Sequence, residues 1–312
     1  MLDQLGRAVR YLRLSVTGAC DYRCAYCIPS SGPGRMAETL SAAECIEIVR
    51  QAAACGVDKV RLTGGEPLVR GDILEICRGI AGIEGIRTLC LTTNGSRLSD
   101  LAGDLYAAGV RRVNISIDSL RPDRYHEITR CGSLEDALNG LDAALHVGFE
   151  QVKINTVLMG GVNDDEIIDF VVLTRDKPID VRFIELMPIG PSASWPKERF
   201  LPAGEVLARC PGLQLIEQAG VARRYGIPGY RGAVGLILPM TGCFCDQCNR
   251  IRVTADGMLK PCLHGREEIP LKGLTGEALR AQIERGIRAK PRAHTLDEGA
   301  SQSQRGMNAI GG

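Results

Sequence analysis

Residues 20–27 read Cys20-Asp21-Tyr22-Arg23-Cys24-Ala25-Tyr26-Cys27, three cysteines in a C-x3-C-x2-C spacing. Such a loop can turn three thiolates toward one metal centre and leave a coordination position open. A structural zinc site is closed by four ligands, and a [4Fe-4S] cluster is normally held by four thiolates. Three thiolates therefore either borrow a distant fourth ligand, as a zinc knuckle would, or present a metal to something that is not the protein.

The loop follows a strand-like run at 11–16, and similar runs recur at 58–63, 87–93, 111–117, 151–157 and 180–186. The stretches between them are long enough for helices, with amphipathic segments at 71–81, 98–108, 134–147 and 164–175. The first crossover helix, which precedes these, opens on Ser41-Ala42-Ala43-Glu44, a capping-box spacing. This βα rhythm predicts an α/β fold, a partial six-stranded (β/α)6 barrel, with Cys20, Cys24 and Cys27 at the carboxyl end of the first strand, where sites of such folds collect. Parallel strands covered on both faces should be continuously apolar. Here several alternate: Lys59 and Arg61 against Val60 and Leu62, Asn114 and Ser116 against Ile115 and Ile117, Lys153 and Asn155 against Val152 and Ile154. With a period of two each polar set shares a face, which is expected to line the interior and to need a ligand.

After Met187 the rhythm stops at Pro188-Ile189-Gly190-Pro191. Residues 188–293 are read as a C-terminal antiparallel β-containing region, with strands at 213–217, 221–226 and 233–239 and a hairpin over 250–262 turning at Asp256-Gly257. Residues 294–312 are small and polar, a composition that reads as disordered.

The chain has 312 residues, 13 cysteines and a net charge of +1. An odd cysteine count in a chain of this size fits metal-bound thiolates in a reducing compartment better than a disulfide framework. Cys243 stands two residues before Cys245 and competes as a ligand. Near-neutral charge argues against a nucleic-acid surface. No apolar run approaches the length of a membrane span, and the N-terminus lacks a signal-peptide pattern, so a cytoplasmic location is expected.

Cys245, Cys248 and Cys262 form a second open set, C-x2-C-x13-C, followed by Asn249-Arg250-Ile251-Arg252, and the chain finishes Ile310-Gly311-Gly312. With Gly64-Gly65-Glu66-Pro67 between the two sets, the order of motifs resembles the GTP 3',8-cyclase family of radical-SAM enzymes along nearly the whole chain. The resemblance implies two [4Fe-4S] clusters, one on Cys20, Cys24 and Cys27 and one on Cys245, Cys248 and Cys262, as auxiliary cluster. S-adenosyl-L-methionine would chelate the open iron of the first and be cleaved to methionine and a 5'-deoxyadenosyl radical. Hydrogen abstraction from C3' of GTP and attack on C8 would then give 3',8-cyclo-7,8-dihydro-GTP for molybdenum cofactor biosynthesis.

By the same resemblance Tyr26, Gly65, Ser116 and Met187 contact S-adenosylmethionine. Arg13, Arg61, Thr92, Lys153, Arg250 and Arg252 hold GTP, and the essential Gly311-Gly312 tail threads into the site. Arg250 and Arg252, two apart on a predicted strand, share a face whatever the family. The resemblance further implies an electron donor such as a flavodoxin or ferredoxin and, downstream, cyclic pyranopterin monophosphate synthase, and it leaves a homodimer open. Ile28 follows the last ligand where Met is common. A peptide-modifying radical-SAM protein and a zinc-ribbon or iron–sulfur carrier remain alternatives, although neither accounts for the polar interior or the Gly-Gly terminus.

Overall fold

The computed structural model describes residues 1–32, 38–219, 222–242, 244–294, 296 and 301–311. Cys243 and Gly312 therefore lie outside the described residues. The βα repeat is present: β1 (Tyr11–Ser15), α1 (Ala42–Ala54), β2 (Lys59–Thr63), α2 (Ile73–Ala81), β3 (Thr88–Thr93), α3 (Leu98–Ala107), β4 (Arg112–Ser116), α4 (Pro122–Thr129), α5 (Leu134–Val147), β5 (Gln151–Leu158), α6 (Ile167–Asp176) and β6 (Asp180–Glu185). The capping box at α1 forms as expected, Ser41 Oγ accepting from Glu44 N at 3.2 Å and Glu44 Oε2 from Ser41 N at 2.8 Å. Then come α7 (Glu205–Arg209), β7 (Gln214–Ala219), β8 (Ala222–Gly226), β9 (Ala233–Ile237), β10 (Arg250–Val253), β11 (Met258–Lys260), β12 (Ile269–Pro270), α8 (Gly276–Arg288) and α9 (Met307–Ile310).

Among the described residues twelve strands belong to one open sheet, in the order β12-β11-β10-β1-β2-β3-β4-β5-β6-β9-β8-β7. The six expected strands stand in sequence at its centre, but the parallel run does not stop with them. β10 pairs in parallel with β1, and β9 with β6. The antiparallel strands are consequently the two margins of the same sheet rather than a separate layer. This corrects the six-strand expectation. Periodicity alone could not join β10 to β1, because their pairing partners are far apart in the chain.

Register explains the alternation. Arg13 lies between Arg252 and Arg61, Thr92 beside Asn114, Asn114 beside Lys153, and Asn155 beside Arg182. The opposite face carries Leu12, Leu14, Val60, Leu62, Leu91, Val113, Ile115, Ile154, Val181, Phe183, Leu236 and Ile251, all buried under the helices. One face thus supplies the apolar burial that drives folding, and the other is left to charge.

Phe183 and Phe170 meet edge to face in that core, ring centroids 6.1 Å apart, and both are fully buried. Phe183→Ala should lower unfolding free energy by about 3–5 kcal/mol, read from the denaturation midpoint. A loss under about 1 kcal/mol would show that the face is not a packed core.

Candidate functional site

The first thiol corner is built on backbone. Cys27 N and Ile28 N both donate to Cys24 O at 2.9 Å, which turns the loop tightly. Arg23 N and Ala25 N donate to Thr129 O and Ile128 O at the end of α4. Asp21 accepts from Asn94 Nδ2 at 2.7 Å and Ser96 Oγ at 2.6 Å, tying the loop to the residues after β3. Burial pushes Cys20 up to about 12 and Cys27 to about 11, and holds Cys24 well above its ordinary value. Thiolates in this corner therefore call for a cation. Tyr26 points its hydroxyl at Asp118 Oδ2, 2.8 Å away, and its side chain packs on Ile128, Met159 and Leu186.

Gly64-Gly65 is clamped on the strand-to-loop segment that leads to Cys20. Gly65 N donates to Thr17 O and Glu66 N to Ala19 O, both at 2.8 Å. A Cβ on Gly64 would stand 2.3 Å from Thr17 O, and one on Gly65 2.2 Å from Ala19 O. Glycine is needed here because two backbones touch. Glu66, buried, accepts from Leu68 N, Thr93 Oγ1 and Asn94 N, and burial still raises it to about 7. Ser116 closes β4, and Met187 follows β6, its carbonyl accepting from Ile189 N and Ser192 Oγ. These residues sit at the carboxyl ends of their strands, the same edge as the first corner.

Below that edge lies the charged face. Arg61 donates to Tyr11 Oη at 2.6 Å, Leu91 O at 2.7 Å and Thr92 Oγ1 at 3.2 Å. Burial and the neighbouring guanidiniums lower Arg13 to about 10 and Arg252 well below its ordinary value. Arg182, which is absent from the residues expected from sequence, is lowered to about 10 by burial and by Arg61. Arg61 on β2 and Arg182 on β6 thus carry like charge over the same face. Lys153, Arg13 and Arg61 lie within their strands rather than at the strand ends. Lys153 is ion-paired with Asp180, itself held by Arg224, and burial lowers it to about 8. The alternation Val181-Arg182-Phe183 carries the same signal that identified Arg61.

The second corner is framed by two buried cations that had no local signature. Arg7 donates to Cys245 O at 2.8 Å, Pro291 O at 2.8 Å and Arg292 O at 3.1 Å, with Asp3 on its Nε. Lys290 Nζ reaches Arg250 O at 2.6 Å, Pro261 O at 3.2 Å and Cys248 Sγ at 3.6 Å. Burial opposes ionisation of Cys248, but Arg250 and Lys290 bring it down to about 7. Among the described residues no three His, Cys, Asp or Glu side chains converge as tightly as a single metal ion requires.

The C-terminal segment is ordered against this site, so the disordered reading of its composition is overturned for residues 301–311. Arg252 Nη1 donates to Gly311 O at 2.8 Å. Gly311 has φ +82°, and a Cβ there would meet Thr63 Cγ2 at 2.7 Å and Ser15 Cβ at 3.1 Å. Asn308 N donates to Cys27. The segment therefore runs from the first corner to the ends of β1 and β2.

A family model described as the Radical SAM superfamily matches residues 14–173, and one described as Molybdenum Cofactor Synthesis C matches 179–296. Similar curated proteins include the GTP 3',8-cyclases of Alkaliphilus oremlandii (strain OhILAs), 46% identical, and Alkaliphilus metalliredigens (strain QYMF), 47% identical, each alignment covering all of both chains. That of Peptoclostridium acidaminophilum is 47% identical over all of this chain and 98% of its own. Among solved structures, Streptococcus suis SuiB bound to S-adenosylmethionine superposes with a TM-score of 0.62 at 14% identity, covering 97% of this chain and 75% of SuiB, a likeness of fold.

The thiols differ in a measurable way. In metal-free protein at about pH 7.5, iodoacetamide should alkylate Cys248 ahead of Cys20, Cys24 and Cys27, because only a group near 7 is mostly thiolate there. Dropping to about pH 6 should slow Cys248 roughly tenfold. Peptide mapping reads this, and equal labelling of the two corners would contradict the charge assignment.

Proposed function

The chain belongs to the GTP 3',8-cyclase family of radical SAM enzymes, and on that premise we propose that its two thiol corners hold one [4Fe-4S] cluster each, facing one another across the charged sheet face. The reaction converts GTP to 3',8-cyclo-7,8-dihydro-GTP in molybdenum cofactor biosynthesis. The family uses an iron–sulfur cluster and S-adenosylmethionine. The observation that carries the site assignment is the concentration of guanidiniums on the face between the corners, Arg13, Arg61, Arg182, Arg250 and Arg252. A triphosphate supplies the missing negative charge, and planar guanidiniums take its oxygens two at a time.

When bound, the first cluster and S-adenosylmethionine supply the hydrogen-abstracting radical; the chain supplies binding, orientation and exclusion of water. Cys20, Cys24 and Cys27 hold the first cluster. Tyr26, Gly65, Ser116 and Met187 line the carboxyl edge beside it and receive the cofactor's adenosyl and methionyl ends. Arg13, Arg61, Thr92, Lys153, Arg250 and Arg252 receive GTP, with Arg182 joining them. Arg250 and Arg252 bring the guanine end toward Cys245, Cys248 and Cys262. Gly311 closes the site from the side of β1 and β2, where its absent side chain lets backbone approach the substrate, and Gly312, which follows it in sequence, is assigned to the same tail.

In chain order, residues 1–187 carry the first corner on a partial barrel, 188–293 the second, and 294–312 the closing tail. The enzyme acts in the cytoplasm, takes its electron from a flavodoxin or ferredoxin, and passes product to cyclic pyranopterin monophosphate synthase. Among the described residues no helix is long and apolar enough to cross a membrane.

Anaerobic incubation with GTP, S-adenosylmethionine and a reductant, followed by mass spectrometry, tests this reading. Reconstituted protein should hold about eight irons, falling to about four when either cysteine set is replaced by alanine. Cys24→Ala should abolish cleavage of S-adenosylmethionine, whereas Cys248→Ala should leave cleavage with little cyclisation. Arg250→Ala should weaken GTP by about 1.5–3 kcal/mol and S-adenosylmethionine less. Cyclisation at the parental rate in both cysteine variants would refute the assignment.

A further inference from the structure

Behind the second corner lies a set of charges that neither the ligand sets nor the substrate residues use. Arg305, on the C-terminal segment, spreads its guanidinium over two carboxylates. Its Nε and Nη2 each donate to Glu268 at 2.8 Å, one to each oxygen, and its Nη1 reaches Asp256 at 2.9 Å. Glu268 also takes Lys260 Nζ at 3.2 Å, and Lys260 is fully buried. Asp256 stands at the β10–β11 turn and Glu268 just before β12, so the receiver is the margin of the sheet that carries Arg252.

The pairing is bidentate and partly buried, side chains being 21–25% exposed. That geometry is the strong form of an ion pair, charge-assisted and planar. Its position matters more than its strength. Immediately after Arg305 the chain passes Gly306, the N-cap of α9, where an added Cβ would stand 3.8 Å from Cys27 O, runs through α9, and delivers Gly311 O to Arg252. Ile310 is buried without exposure and gives a second, apolar hold. An apolar contact fixes depth but not direction. The fork of Arg305 on two carboxylates fixes direction.

We propose that Arg305 is a positioning residue for cyclisation: by bridging Glu268 and Asp256 it sets the path on which the C-terminal segment enters the site and seats Gly311 beside Thr63 and Ser15. The proposal rests on the reading that this tail takes part in the reaction. Arg305 touches no substrate position and acts only through the segment behind it. Removing it leaves neither carboxylate dry and without a partner, because Glu268 keeps Lys260, and Asp256, 22% exposed, keeps the hydroxyl of Thr254. The fold is thereby spared.

The test uses reconstituted enzyme with Arg305→Ala, Arg305→Lys, a chain ending at residue 310, and that chain carrying Arg305→Ala. In Arg305→Ala, hydrogen exchange of amides 306–311 should speed on the order of tenfold or more, and cyclised product should fall by a similar factor. Iron content, melting temperature and GTP affinity by calorimetry should stay near parental values. Arg305→Lys, which keeps the charge but not the fork, should recover part of both losses. In the chain ending at 310, adding Arg305→Ala should change S-adenosylmethionine cleavage no further. Parental exchange and turnover in Arg305→Ala overturns the proposal, as does lost iron or a lower melting temperature in step with activity. Full-rate cyclisation by the chain ending at 310 refutes instead the reading of the tail, and with it any catalytic consequence of Arg305, whatever the exchange shows.

Discussion

Everything in this molecule depends on a mixed sheet, parallel across its centre, whose two faces obey opposite rules. The outer face buries branched and aromatic side chains under the helices and provides the free energy of folding. The inner face gathers arginines close enough to depress one another's affinity for protons. Guanidiniums resist deprotonation, so the repulsion is not relieved by losing charge. It stays in the folded state as a concentration of positive charge that favours anions, held in place by the apolar packing behind it.

The two ends of that face are finished by different means. At the first corner the frame is backbone: a tight turn, carbonyls of α4 and the Gly64-Gly65 contact with residues 17–19. At the second the frame is side-chain charge, with Arg7 and Lys290 donating to the carbonyls around the thiols. Thiols in the first corner are accordingly held neutral by burial, while Cys248 is drawn toward its thiolate. The two ends of the face therefore hold different proton inventories.

The sequence disclosed whatever repeats locally. Period-two alternation identified the inner face and Arg61, and extends in the same form to Arg182 in β6. The cysteine spacings were legible because three thiols fall within a short loop or hairpin. What escaped was non-local. The pairing of β10 with β1, the clamp from Arg7 to residues 290–292 and the seat of Arg305 join residues separated by much of the chain. No window of sequence contains both partners. The tail shows the opposite failure: a small, polar composition offers no apolar stripe to read, yet residues 301–311 are held by ion pairs, one buried isoleucine and a carbonyl on Arg252.

The Arg7 clamp has a temporal meaning as well. Its acceptors at Cys245, Lys290, Pro291 and Arg292 lie more than two hundred residues downstream, while the frame of the first corner draws its acceptors from the end of α4. During synthesis, at ~5–20 residues per second, the first corner has its backbone partners many seconds before the second has any. Until then Arg7 has only Asp3 to hold. The frame of the second corner is therefore completed late, by contacts of high sequence separation.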